Sequence, residues 1–199
     1  MLKNYIWDFD GMLFDSYPHI TRAFMQMMED YGQHADYDEA KALFEVNFSV
    51  AFEHYGTTEE QKALFRKYEH DYLFEPFAVP FENTVYTLKK IVENGGRNYL
   101  YTHRGESVYY YLKKYGIYEL FSDYVTSENG FPAKPAPDAV EYIVKNNSLI
   151  KSETVMIGDR EIDVMSGKNA GVFGCLYSKN SKETSADFTV KDIIEVLSI

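Results

Sequence analysis

The hydrophobic positions of the chain follow two different spacings, and the change between them divides the chain into parts. Residues 3–9 form a short run of aromatic and β-branched side chains, which is typical of a buried strand. Residues 16–79 instead carry apolar side chains at helical spacing. The predicted helices of this stretch span 18–31, 38–54 and 59–74. Gly32 ends the first helix, Thr57-Thr58 provide the N-terminal signal of the third, and Pro76 and Pro80 mark the end of the helical stretch.

After residue 80, short apolar runs alternate with helical stretches. Predicted strands cover 97–102, 123–126, 154–158 and 172–176, and predicted helices cover 82–94, 106–115, 137–147, 161–169 and 190–198. Strands that alternate with helices indicate a parallel sheet with helices on both faces. We therefore predict an α/β fold with a Rossmann-like parallel sheet core at 1–15 and 80–199, and an inserted all-helical cap domain at 16–79.

Composition and charge narrow the range of partners. The 199 residues carry a formal net charge of −11, and so acidic a surface repels nucleic acid and anionic membranes. It also repels phosphate esters, so a phosphate site here needs a metal ion or a few placed basic groups. No signal peptide is expected, because Asn4, Asp8 and Asp10 interrupt the N-terminal apolar run. The single cysteine, Cys175, fits a buried thiol in a reducing cytoplasm, and we expect a monomer or homodimer there.

Polar residues follow the predicted strands at the points where the strands end. They are Asp8 and Asp10 after the first strand, Thr102 at the close of the second, Lys134 in the loop after the third, and Asp159 after the fourth, with Asp163 one helical turn later. In an open parallel sheet, ligands bind beyond the carboxyl ends of the strands. An Asp-x-Asp pair alone is commonly a pair of solvated loop carboxylates, but chance rarely gathers so many reactive groups along one edge.

These side chains suit phosphoryl transfer. Asp8, Asp159 and Asp163 offer the hard oxygen ligands that Mg²⁺ prefers. The cation would offset the repulsion among the carboxylates and let one of them approach a phosphate group. A carboxylate can attack phosphorus and form a covalent intermediate, while Lys134 and the Thr102 hydroxyl can stabilise charge on the phosphoryl oxygens.

The segments that carry these residues resemble the four motifs of the haloacid dehalogenase-like superfamily, in the order of that family. They read DFDGMLFDS at 8–16, YTHRG at 101–105, AKPAPD at 133–138 and GDREID at 158–163, and residues 132–140 resemble the phosphoglycolate phosphatase-like branch. The resemblance implies that Asp8 is the nucleophile and a metal ligand. It implies that Asp10 is the general acid and base and that its backbone carbonyl contacts the metal. Thr102 would hold the transferred phosphoryl group, and Lys134 would orient Asp8.

The same resemblance makes Asp159 a direct metal ligand and Asp163 a more indirect contributor to the metal site. The sequence departs from the family pattern in three motifs. Met12 stands where the first motif usually has threonine, and His103 and Arg104 follow Thr102 where asparagine is common. Arg160 follows Asp159 where small residues are common, and we expect it to form an ion pair. Two readings of His103 remain open, contact with the substrate and ordinary packing at the rim of the site.

Asp10 and the cap indicate the class of reaction. Members of the family that displace halide lack the second aspartate, so its presence favours phosphate esters. Caps of this kind close over the site and exclude macromolecules, which predicts a small phosphorylated metabolite such as phosphoglycolate or a sugar phosphate. A carboxylated substrate would need a basic group from the cap, and Arg22 is the first candidate. We predict a phosphatase; a phosphomutase on the same scaffold and a non-catalytic module that binds phosphorylated metabolites remain as alternatives.

Overall fold

The computed structural model describes residues 1–71, 77–180 and 183–199, and the chain falls into two compact units. Unit 1 consists of Met1–Phe14 and Pro80–Ile199, and unit 2 consists of Asp15–Val79. Pro76 and the end of the helix predicted at 59–74 lie outside the described residues. Unit 1 is therefore assembled from two separate parts of the chain.

Six strands of unit 1 form one parallel sheet. The strands of the described residues are β1 Asn4–Trp7, β2 Phe14–Asp15, β3 Val79–Pro80, β4 Arg97–Tyr101, β5 Phe121–Val125, β6 Thr154–Gly158, β7 Phe173–Tyr177 and β8 Phe188–Val190. The sheet has the order β5-β4-β1-β6-β7-β8, and β2 pairs separately with β3. Every neighbouring pair in the large sheet is parallel. The predicted α/β fold is confirmed, and β1 lies between β4 and β6 near the centre of the sheet.

Helices fill the connections between these strands. They are α1 Tyr17–Asp30, α2 Tyr37–Val46, α3 Phe48–His54, α4 Glu59–His70, α5 Thr84–Glu93, α6 Ser107–Lys114, α7 Asp138–Asn146 and α8 Glu161–Asn169. The first four belong to unit 2 and the last four to unit 1. Among the residues described, none of these helices combines the length and the apolar character needed to cross a membrane.

The core of unit 1 is built around the central strands. β1 is buried along its whole length, as is usual for strands of a parallel sheet that is covered on both faces. Ile6, Tyr99 and Met156 lie on three neighbouring strands and pack in one cluster with Val140 and Ile143 of α7. This burial holds the carboxyl ends of the three strands in fixed register.

Unit 2 has an apolar core of its own, in which Phe24, Phe44 and Phe65 meet with ring centroids 5.2 to 6.3 Å apart. The single helix predicted at 38–54 is wrong, because the structure has α2 and α3 there. Asn47 interrupts the helix with an extended backbone, and its side chain accepts a hydrogen bond from the Ser49 amide at 2.7 Å. This is an ordinary N-cap contact, which apolar spacing does not reveal.

The C-terminal helix predicted at 190–198 is also wrong. The residues Phe188–Val190 form β8, which pairs with β7 at the edge of the sheet. A short 3₁₀-helix, Ile193–Ser198, follows, and the Asp192 side chain accepts a hydrogen bond from the Ile194 amide at its start. The apolar residues of this segment are close to helical spacing, but the pairing with β7 takes the first of them into the sheet.

Candidate active site

The carboxyl ends of β1, β4 and β6 lie side by side. Trp7 at the end of β1 is in register with Leu100 on one side and with Ile157 on the other. The Asp8 amide continues this ladder by donating a hydrogen bond to the Ile157 carbonyl at 2.9 Å. Parallel strands present their carboxyl ends at one edge, so Asp8 and the residues that follow β4 and β6 share that edge.

Three carboxylates gather there. One carboxylate oxygen from each of Asp8, Asp159 and Asp163 lies within 4.8 Å of the others. Asp8 and Asp163 are buried, and the Asp159 side chain is 15% exposed. Burial raises the pKa of Asp8 to about 6, against the opposing charge of Lys134. Burial, together with the charges of Asp163 and Asp8, also raises the pKa of Asp159. The raised pKa values mean that the protein around Asp8 and Asp159 does not fully stabilise their negative charges.

Lys134 is the cation at the centre of this cluster. Its Nζ lies 2.5 Å from Asp8 Oδ1 and 2.8 Å from Asp163 Oδ1, and it donates a hydrogen bond to the Tyr101 carbonyl at 3.1 Å. The Lys134 side chain has no exposed surface. Burial opposes its charge, but the carboxylates of Asp163 and Asp8 outweigh that effect and raise the pKa of Lys134. It is a permanent positive charge at neutral pH.

The donor set fits a divalent cation. Asp8 Oδ2 is buried and has no hydrogen-bond partner within the described part of the chain. A buried carboxylate oxygen of this kind is costly unless a cation or donor reaches it. Hard carboxylate oxygens are the ligands that Mg²⁺ and Ca²⁺ prefer. Asp8, Asp159 and Asp163 are the residues that could hold such a cation.

Asp163 is placed by the start of α8 and by a glycine. Its Oδ2 accepts a hydrogen bond from the Arg160 amide at 3.1 Å, which orients the carboxylate at the helix N-terminus. A side chain at Gly158 would overlap the Asp163 carboxylate, so only glycine allows this approach. Arg160 lies 3.9 Å from both Asp159 and Asp163, which agrees with the expected ion pair at the surface of the site.

The two residues after Thr102 each contact another part of the site. His103 Nε2 accepts a hydrogen bond from the Lys134 amide at 3.1 Å and so holds the loop that carries the lysine. This contact requires an unprotonated Nε2. Burial, together with the charges of Lys134 and Arg160, lowers the pKa of His103, so the ring is neutral at neutral pH and Nε2 can accept. Thr102 is buried, and its Oγ accepts a hydrogen bond from the Arg104 amide at 3.0 Å.

Arg104 is the residue that sequence reasoning missed. Its Nη2 and Nε donate hydrogen bonds to Asp10 Oδ1 at 2.8 and 3.2 Å. The only indication in the sequence was that an arginine stands two residues after Thr102, in a motif that departs from the family pattern. Asp10 thus contacts Arg104, whereas Asp8 contacts Lys134.

Arg22, the basic residue expected to reach a carboxylated substrate, belongs to unit 2. It is half-buried on α1, and its Nη2 donates a hydrogen bond to Gln26 Oε1 at 3.2 Å. It lines a cavity of about 460 Å³ within unit 2 together with Met28, Glu29 and Gln33. The other seven residues predicted for the site all belong to unit 1.

Known proteins resemble this chain in both sequence and fold. Comparison with protein families matches residues 5–176 to the haloacid dehalogenase-like hydrolases. The pyrophosphatase PpaX of Halalkalibacterium halodurans is 27% identical over 176 residues, covering 86% of this chain and 81% of that protein. The phosphoglycolate phosphatase of Vibrio parahaemolyticus is 26% identical over 219 residues, covering 100% and 96%.

A hydrolase from Streptococcus pneumoniae TIGR4, known from its crystal structure, superposes with a TM-score of 0.69 at 30% identity, covering 100% of this chain and 99% of that one. Its fold agrees with the parallel sheet, and the matched residues 5–176 include all four motif segments. On this evidence the chain belongs to the haloacid dehalogenase-like hydrolases.

Proposed function

We propose that this protein is a Mg²⁺-dependent phosphatase that hydrolyses a small phosphorylated metabolite through an aspartyl-phosphate on Asp8. The observation that carries the proposal is the state of the Asp8 carboxylate at the end of the central strand. Its Oδ1 contacts Lys134, and its Oδ2 is buried and accepts no hydrogen bond from the described residues. The carboxylate is thus held in place by one oxygen while the other accepts no hydrogen bond from the described residues, as a carboxylate nucleophile requires.

The first step forms the covalent intermediate. An oxygen of Asp8 attacks phosphorus, the bond from phosphorus to the leaving oxygen breaks, and Asp10 gives its proton to that oxygen. Lys134 holds Asp8 and places positive charge beside the crowded phosphorus. Thr102 would donate its hydroxyl proton to a phosphoryl oxygen. In the reading in which His103 contacts the substrate, that contact would belong to the same step.

The second step regenerates the carboxylate. Water attacks the same phosphorus and gives a proton to Asp10, and the bond from phosphorus to Asp8 breaks. Inorganic phosphate leaves, and Asp10 is again protonated for the next substrate. One group with two successive tasks explains why a phosphatase needs the second aspartate.

Mg²⁺ would be held by the carboxylates of Asp8 and Asp159 and by the backbone carbonyl of Asp10, with Asp163 contributing from its side of the cluster. When bound, the cation would reduce the repulsion between Asp8 and the incoming phosphate and withdraw charge from the phosphoryl oxygens. The raised pKa values of Asp8 and Asp159 support this assignment, because both carboxylates are short of positive charge.

The names of two relatives suggest a class of substrate. Phosphoglycolate and pyrophosphate both carry an anionic group beside the phosphoryl group that is removed. We propose that this protein also acts on a small anion of that kind, with unit 2 as the cap and Arg22 as the basic group for the second charge. Arg22→Gln should then raise KM for phosphoglycolate more than for p-nitrophenyl phosphate, whose aryl group has no second anion to contact.

The decisive experiment measures phosphate release from p-nitrophenyl phosphate, phosphoglycolate and pyrophosphate with Mg²⁺ and with EDTA. Phosphate release is expected in the presence of Mg²⁺ and not in the presence of EDTA. Asp8→Asn should lower kcat at least about a thousandfold, because an amide oxygen is a poor nucleophile. Asp138→Asn removes the same charge from an exposed carboxylate and serves as the matched control.

Three outcomes would contradict the proposal. Retention of most activity by Asp8→Asn would exclude the aspartyl-phosphate. Transfer of the phosphoryl group back to a sugar, with hexose 1-phosphate as substrate, would indicate a phosphomutase. Tight binding of a phosphorylated metabolite without turnover in the presence of Mg²⁺ would indicate a binding module.

A further inference from the structure

Arg104 is a buried cation to which the two reaction steps assign no task. Its side chain has no exposed surface, and the guanidinium carbon lies 5.5 Å from the Phe9 ring centroid and 5.8 Å from that of Tyr111. Burying a guanidinium costs free energy unless an opposite charge and hydrogen bonds offset the cost. Asp10, whose side chain is 18% exposed, accepts hydrogen bonds from Arg104 through Oδ1, and it adds an opposite charge whenever it is ionised, as it is once the leaving oxygen has taken its proton.

The contacts of Arg104 define where the Asp10 carboxylate lies. Nη2 and Nε both donate to the same atom, Asp10 Oδ1. The guanidinium is itself fixed by the two aromatic rings and by a hydrogen bond from Nη1 to Ser107 Oγ at 3.4 Å. Because a guanidinium is planar and rigid, an oxygen that accepts two of its hydrogens has little freedom to move.

From this geometry we infer that Arg104 is a positioning residue, which holds the Asp10 carboxylate in the orientation that proton transfer requires. The inference rests on the proposed function, in which Asp10 gives a proton to the leaving oxygen and later takes one from water. Arg104 takes part in neither bond change. Loss of Arg104 should therefore slow only the steps in which Asp10 gives or takes a proton. Those steps can be measured apart from a step that does not need Asp10.

The choice of leaving group separates them. Dinitrophenolate leaves without a proton, so attack of Asp8 on 2,4-dinitrophenyl phosphate needs no general acid. Hydrolysis of the aspartyl-phosphate needs Asp10 as the base, whichever substrate delivered the phosphoryl group. A loosened Asp10 should therefore slow the second step and leave the first almost unchanged.

The experiment is a stopped-flow measurement of dinitrophenolate release with Mg²⁺, combined with acid quench to detect the phosphoenzyme. The variants are Arg104→Gln and Arg104→Lys. Arg97→Gln is the matched control, because Arg97 is exposed at the opposite end of the same strand, β4. The wild-type and control proteins define the burst and the steady-state rate.

For Arg104→Gln we expect a burst rate constant within about threefold of the wild type and a steady-state rate lower by roughly tenfold to a hundredfold. The burst should approach one dinitrophenolate per active site as phosphoenzyme accumulates. Arg104→Lys should recover part of the steady-state rate, because it keeps the charge but not the two-pronged contact. With an alkyl phosphate, both steps should slow.

Equal loss in both steps, or wild-type values in both, would overturn the inference. If Arg104→Gln fails to fold, as judged by circular dichroism, Arg104→Lys and Ser107→Ala decide the question by the same split between burst and steady state. A wild-type protein that releases neither dinitrophenolate nor phosphate would contradict the proposed function instead, so the two failures are distinguishable.

Discussion

The ammonium group of Lys134 is shared by two carboxylates that come from distant parts of the chain. Asp8 follows the first strand and Asp163 lies in the last α-helix, and both are buried with Lys134 between them. Removing one partner from such an arrangement leaves a buried charge without compensation, at a cost of roughly 3–5 kcal/mol. Lys134 therefore stabilises the folded unit as well as orienting the proposed nucleophile.

Because His103 holds the Lys134 loop, its ring should matter for catalysis even without touching the substrate. His103→Ala removes the acceptor of the Lys134 amide. We expect the free energy of unfolding to fall by about 1 kcal/mol, the usual net value of one hydrogen bond, and kcat to fall by roughly tenfold. Urea denaturation and phosphate release would measure the two effects; a change in KM alone would favour contact with the substrate.

The sequence predicted which polar side chains lie at this edge, and the family resemblance predicted one contact, that of Lys134 with Asp8. Asp8, Thr102, Lys134 and Asp159 were candidates because each lies at or after the end of a predicted strand. The pairing of Arg104 with Asp10 could not, since it depends on how the chain turns after Thr102 and on two aromatic rings from other segments. Residue type and spacing predict which groups reach an edge, whereas contacts between them depend on the packing around them.

At the scale of elements, the end of β6 and the start of α8 form one tight unit. Gly158 is the last residue of β6, and the Asp163 side chain packs against the Cα of Gly158. Gly158→Ala would force the Asp163 carboxylate away from Lys134. We expect a loss of about 1–3 kcal/mol in stability, the usual cost of overpacking, and a fall in kcat of at least about tenfold.

The matched control for that variant is Gly116→Ala. Gly116 has a φ of +65°, so an added methyl group is strained there, but among the described residues, apart from its chain neighbours, no atom lies within 4 Å of the added Cβ. It should lose about 1 kcal/mol of stability with unchanged kcat. Equal kcat values for Gly158→Ala and Gly116→Ala would show that the Gly158–Asp163 contact does not affect the reaction. Thermal unfolding and steady-state assays are sufficient.

The order of the elements followed from apolar spacing, and the errors have specific causes. Alternating strands and helices were predicted correctly from β4 to β7 because strands buried on both faces read as continuous apolar runs. The break at Asn47 and the strand Phe188–Val190 were missed. One depends on a single capping hydrogen bond, and the other on the exposed edge that β7 offers, which only the assembled sheet reveals.

At the scale of the whole molecule, one thiol reports on the integrity of unit 1. Cys175 is the only cysteine of the chain, and it is fully buried in β7. Burial raises the pKa of Cys175 to about 12, whereas an unfolded cysteine has a pKa of about 8.5. We expect iodoacetamide at pH 8 to alkylate the native protein at least roughly a thousandfold more slowly than the protein in urea. Mass spectrometry would follow the reaction, and rapid native labelling would contradict the burial.

The raised pKa of Cys175 also determines whether its contribution to the free energy of unfolding grows or shrinks with pH. The folded state keeps the thiol proton over a range in which the unfolded state has lost it. Stability should therefore decrease as the pH rises from about 8.5 toward about 12. Cys175→Ala would remove this contribution, so the difference in urea midpoint between the two proteins should narrow as the pH rises through that range.

The central position of β1 also affects how the protein is made. β1 precedes both of its neighbours along the chain, since Asn4 pairs with Arg97 of β4 and with Thr154 of β6. Lys134 lies between those two strands in the sequence, and the carboxylates of Asp159 and Asp163 follow the second of them. A nascent chain that ends before β6 thus leaves one side of β1 unpaired and lacks two of the three clustered carboxylates. The capacity to bind a cation therefore arises late in synthesis, when β6 and the start of α8 join the strand made long before them.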